Sequence, residues 1–178
     1  MRKRKIVIVI LLILCGAGAV YGFLQYQRSV KISNVKSFEE CTAFSETLNS
    51  YPPRCNTPDG RSFTQNIGNE LEMIDEIMVT NPRPNQEVSS PLEVQGRARG
   101  SWFFEGQLSG ELVDRENKKL GSVKLTAEGE WMTDEFVHFQ GKLTFTKPEK
   151  GDGTLFIHKE NPSGQPDNDK KLTIPVKF

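Results

Sequence analysis

The side chains able to do chemistry are few, and their spacing brings no three of them together. Only two histidines occur, His138 and His158. Both fall in strand-like alternation with no third ligand spaced near them, whereas a zinc site takes three or four His, Cys or carboxylate ligands. They read as solvent-facing strand histidines. Asp152, Asp167 and Asp169 suggest calcium, yet Asp167-x-Asp169-x-Lys171 puts a cation where a calcium loop wants a third oxygen. Residues 74–178 hold 17 Asp and Glu, and nothing selects two of them as a glycosidase pair. Gly96-Arg97-Ala98-Arg99-Gly100 lacks the strand–glycine–helix setting of a phosphate loop. The expectation is therefore no catalytic residue, no cofactor and no metal: not an enzyme.

Two cysteines, Cys41 and Cys55, stand apart from Cys15, which lies in an apolar N-terminal run. In an exported chain such a pair is most simply a disulfide. It would close a loop of about 15 residues, worth roughly 3 kcal/mol on the chain-entropy argument.

Side chains suited to binding are more promising. Trp102, Phe103 and Phe104 are consecutive, so a strand would send Phe103 to one face and the other two rings to the opposite one. These rings serve either as core filling or, with Trp131 and Met132, as an exposed platform for a sugar or peptide. Gly96, Gly100 and Gly106 bracket the cluster and suggest bulges or tight bends. Arg97 and Arg99 share one strand face, either merely solvated or forming a carboxylate-binding patch.

The elements that would position these groups are strands. Lys171–Phe178 alternates throughout, with Leu172, Ile174, Val176 and Phe178 on one face. Pro175 has no N–H to give, so that strand lies at an edge or pairs on one side there. Leu108/Gly110/Leu112, Val123/Leu125, Val137/Phe139, Leu143/Phe145 and Leu155/Ile157 alternate likewise. The connectors are turn-like, and within residues 74–178 no helical period exceeds one turn. Seven or eight short strands within residues 74–178 predict an all-β, immunoglobulin-like sandwich. The loops Asn81–Ser90 and Asn161–Lys170, expected at one end of it, are further contact candidates.

Upstream, Ser37 and Glu40 form a capping-box pattern, and Phe38, Cys41, Phe44, Ser45 and Leu48 predict a helix of about three turns. Pro52 and Pro53 end it, Pro58-Asp59-Gly60 marks a turn, and Phe63 suits a short strand or packing contact. Residues 37–73 thus read as a small disulfide-stapled segment, and residues 25–36 as a polar tether. Residues 6–24 run without a charge behind Arg2, Lys3, Arg4 and Lys5. That length suits a transmembrane helix, with the basic stub 1–5 cytoplasmic and everything after Gln25 outside. A signal peptide cleaved at Ala17-Gly18-Ala19 is the second reading; a lipoprotein acylated at Cys15 is the third, with Leu14 where a small residue is wanted. All three give an extracytoplasmic domain.

Charge balances at 23 basic against 23 acidic residues, with 9 against 6 in residues 1–73 and 14 against 17 in 74–178. The exported part is mildly acidic, which argues against nucleic acid as partner.

Four stretches carry a family resemblance: PRPNQEVSSPLEVQGRARGSWFFEG (82–106), GEWMTDEFVHFQGKLTF (129–145), GDGTLFIHKENPSG (151–164) and IPVKF (174–178). They closely resemble the immunoglobulin-like domain of bacterial spore germination, also called GerMN-associated domain 2. The resemblance implies a sandwich from bacterial envelope and sporulation-associated proteins, without catalytic residues, that binds cell-wall material or partner proteins. The function expected is a membrane-anchored binding or scaffold module contacting wall polymer or an envelope protein. An accessory subunit docked through its anchor helix is the alternative, with Gly16, Gly18 and Gly22 as a small-residue face. A wall hydrolase is the remote one.

Overall fold

The computed structural model describes residues 2–148 and 151–178; the side chains of residues 2–15 and of Asp167 lie outside the description. The chain divides into two compact units, residues 1–65 and 66–178.

The first unit opens with helix α1 (Arg2–Ser33). The helix runs on through most of residues 25–36, the segment read as a tether. No Gly or Pro interrupts residues 23–33, and a polar surface is no obstacle to helix formation. Its last turn is fastened. The Arg61 guanidinium donates to the carbonyls of Val35 (2.7 Å) and Ile32 (2.6 Å) and pairs with Asp59 (2.9 Å), a cation placed where the helix dipole favours one. That guanidinium also holds the Asp59 carboxyl below its usual range, with help from the Thr57 hydroxyl. Among the described residues no helix is long and apolar enough to cross a membrane. Of the expected span 6–24, the side chains of residues 6–15 lie outside the described residues.

Beyond α1 the sequence predicts three helical turns, but α2 (Phe38–Thr42) has five residues. Ser37 caps it by accepting from the Glu40 N–H (3.2 Å), while the Glu40 carboxylate reaches back to the Lys36 N–H (2.7 Å). The helix stops because the chain must turn back: Thr47–Leu48 becomes strand β1 and pairs with β2 (Arg54–Asn56), which pairs with β3 (Ser62–Thr64). Leu48, expected on the apolar stripe, is consequently exposed. Cys41 and Cys55 form the expected disulfide, with Cα atoms 6.1 Å apart. Around it pack Val35, Phe38, Phe44 and Phe63. So few apolar side chains make a meagre core, and the covalent link supplies what burial lacks.

The second unit is almost wholly antiparallel sheet: β4 (Ile77–Asn81), β5 (Leu92–Arg99), β6 (Gln107–Asp114), β7 (Lys119–Ala127), β8 (Phe136–Leu143), β9 (Asp152–His158) and β10 (Lys171–Lys177). Their hydrogen-bonded order is β10-β9-β6-β7-β8-β5-β4. The paired β7–β8 register is short, Thr126↔Gln140 and Ala127↔Phe139, followed by the Glu128 N–H donating to the His138 carbonyl (2.8 Å); there the ribbon's two halves, β10-β9-β6-β7 and β8-β5-β4, meet. One apolar cluster draws on both halves, including Val79, Val94, Phe139, Leu112, Leu155 and Ile174, which is the packing of an immunoglobulin-like domain. Pro175 sits on the edge strand, as its missing N–H requires.

Residues 66–73 join this unit, although the sequence reading set them with the cysteine segment. Asn69 mimics a strand neighbour, donating to the Lys171 carbonyl (3.0 Å) and accepting from the Thr173 N–H (2.7 Å). Glu70, buried, takes a bidentate grip from Arg83. The loops at 81–90 and 161–170 lie at opposite ends, not one. Asn85 and Val88 bond the Pro175 and Lys177 carbonyls at the finish of β10, whereas residues 161–170 lead into its start.

Candidate functional site

The aromatic run Trp102–Phe104 does not lie in a strand. Gly100–Trp102 forms a short 3-10 turn, and Phe104 to Gln107 closes a tight hairpin through two backbone bonds of 3.1 and 3.0 Å. Both central residues of that hairpin, Glu105 and Gly106, have positive φ (51° and 71°), the geometry of a primed turn that suits glycine and strains glutamate. The 3-10 turn buries Trp102 fully and Phe103 almost so, Phe103 meeting the Phe139 ring edge-on at 6.4 Å. Trp102 thus presents no exposed surface, and Phe103 very little. Phe104 remains 46% exposed and Met132 73%. Trp131 lies over the backbone of Gly106 and borders, with Met132 and Phe103, a shallow depression of about 340 Å³. Gly100 serves close approach, since a Cβ there would overlap the carbonyl oxygens of Thr133 and Trp131. Gly96 likewise allows the β4 backbone and the Phe139 ring to close in, and the bulge lies opposite it, on β4 between Val79 and Asn81.

The more developed feature is the outer face of β4, β5 and β8. Strand parity places Gln95, Arg97 and Arg99 on it, and the β5–β8 register sets Gln140, His138 and Phe136 directly opposite them. Both guanidiniums stack on one ring: Arg97 lies 4.9 Å and Arg99 4.2 Å from the centre of Phe136, within cation–π range. Arg99 is further fixed by donating to the carbonyls of Asp75 and Asp134, each at 3.0 Å. Arg97, besides its stack on Phe136, donates to the Met78 sulfur at 3.2 Å. Among the described residues neither arginine has a carboxylate partner. Beside them runs an open groove of about 390 Å³ lined by Met78, Thr80, Gln95, Arg97, Glu128, His138 and Gln140.

Other polar groups are committed to structure. Glu76 accepts from the Trp102 indole (2.8 Å) and from Lys170 (2.6 Å). The Lys170 ammonium first, and the indole N–H second, hold its carboxyl below the ordinary range. On the other half, Ser109, Lys124 and Glu160 bond one another, and Lys171 stacks on Phe156 at 4.5 Å. His138 is exposed, as expected, while His158 is half-buried against Phe156. Asp169 accepts from Asn161 (2.7 Å). Among the described residues no three potential ligands gather to hold a metal.

The sequence reading thus found Arg97 and Arg99 but not Phe136, Gln95 and Gln140. Alternation alone would have put 95, 97 and 99 on one face and 136, 138 and 140 on another. Pairing them needs the β5–β8 register, which no local pattern carries.

Comparison with curated proteins and with solved structures gives no match. The pattern of the immunoglobulin-like domain of bacterial spore germination matches residues 76–165, from the end of the β4 approach to the loop after β9. That is half of the chain, and it spans the whole arginine face: the protein belongs to this family.

Proposed function

We propose that this protein is a membrane-anchored binding or scaffold module of the bacterial cell envelope, its immunoglobulin-like unit held outside the cytoplasm and contacting wall polymer or an envelope protein. The family is a non-catalytic one and suggests an envelope-associated binding module. The basic stub and the uncharged run 6–24 support a single-pass anchor. The Cys41–Cys55 disulfide supports an oxidising compartment.

The observation that carries the binding reading is the Arg97–Phe136–Arg99 face. Two guanidiniums stack on one ring and, among the described residues, neither has a carboxylate partner; Arg99 is held by two backbone carbonyls, while Arg97 keeps most of its donors open to a ligand. The test is retention of the detergent-solubilised full chain on purified wall sacculi and on immobilised envelope extract. Binding to one of these that exceeds binding to an unrelated resin is expected; failure on both sinks the proposal.

A further inference from the structure

Resting on that reading, we infer that the groove across β4, β5 and β8 binds the free terminal carboxylate of a short peptide. Arg97 and Arg99 grip the carboxylate, and Gln95 and Gln140 bond the peptide amides. Guanidinium is the side-chain group whose planar fork matches a carboxylate. Here one copy is restrained on the Phe136 ring with its Nε and one terminal nitrogen already engaged, and the other keeps most of its donors open.

Charge decides against a polyanion. Residues 74–178 carry 14 basic and 17 acidic residues, and Glu128 lines the same groove. A chain of phosphates would set several negative charges against this acidic lining, whereas a terminal carboxylate brings only one. Size agrees. Three adjacent strands span roughly 10 Å at their usual spacing, the length of about three extended residues. The two glutamines face each other across the β5–β8 pair and offer both donors and acceptors, the complement of a peptide backbone.

The experiment titrates the full chain in detergent micelles with N-acetyl-trialanine as the free acid, as its C-terminal amide, and with inorganic phosphate. Binding is followed by isotope-labelled arginine side-chain NMR. The free acid is expected to saturate below about 10 mM, and the amide to bind at least about tenfold more weakly, the worth of a charge-assisted pair. Arg97→Gln should lose that preference and Lys124→Gln, on the opposite half, should keep it. Arg97 is the variant of choice because Arg99 also holds two backbone carbonyls; an unchanged near-UV spectrum verifies the fold. The inference is overturned by no saturation, by equal affinity for acid and amide, by an indifferent Arg97→Gln, or by phosphate binding more tightly than the peptide. Retention of Arg97→Gln on sacculi or envelope extract at wild-type level would sink this inference while leaving the envelope-binding role standing.

Discussion

Glu76 ties three parts of the second unit together, and its removal should be costly in a way that chemistry can dissect. Its carboxylate accepts from the fully buried Trp102 indole at 2.8 Å and from Lys170 at 2.6 Å. Glu76→Ala leaves a buried N–H with no acceptor, a loss of about 1–3 kcal/mol, and also frees the half-exposed Lys170. A total near 2–3 kcal/mol is expected. Glu76→Gln retains an acceptor for the indole and loses only the ion pair, worth about 1 kcal/mol or less at such exposure. Urea unfolding followed by tryptophan fluorescence measures both. The pH dependence has a definite sign. The folded carboxyl titrates below the unfolded one, held down first by Lys170 and then by Trp102. Its contribution is therefore complete above the unfolded value of about 4.3 and fades as pH falls through the lowered folded value. The gap between wild type and Glu76→Gln should shrink in that window. Equal costs for Ala and Gln, or a gap that widens on acidification, would refute the reasoning.

Three further outcomes are expected. Reducing the Cys41–Cys55 link, or replacing both residues by Ala, should destabilise residues 35–65 by roughly 3 kcal/mol; hydrogen exchange should show lost protection there, with β4–β10 unaffected. Arg61→Ala removes the guanidinium from the Ile32 and Val35 carbonyls and should fray the last turn of α1. The cost of about 1–2 kcal/mol is readable as faster exchange at residues 31–36. Gly100→Ala drives a methyl into the Thr133 and Trp131 carbonyls; displacing that loop should cost about 1–3 kcal/mol and shift Trp131 fluorescence.

Much of the second unit could be read from alternation. Leu172, Ile174 and Val176, or Leu155 and Ile157, have no helical face to offer, and all are buried. The disulfide followed from isolation of two cysteines in a segment too small for a core. What escaped depends on contacts remote in sequence. Phe38 to Leu48 has a helical period, but pairing of Thr47 with Cys55 outweighs it. Trp102 to Phe104 look like strand residues, yet a 3-10 turn followed by a hairpin with Glu105 at positive φ sends two rings inward and one outward. The arginines were visible as a pair; the ring that arrays them arrives from a strand 37 positions beyond Arg99, through register alone.

The most direct test of the account is site-specific photo-crosslinking in living cells. A benzophenone side chain replaces Thr80, which lines the groove beside the arginine face, or Ser122, on the outer face of the opposite half. The account predicts an envelope-derived adduct from position 80 that Arg97→Gln abolishes, and none from position 122. Adducts from 122 alone, or from 80 regardless of Arg97, would contradict it.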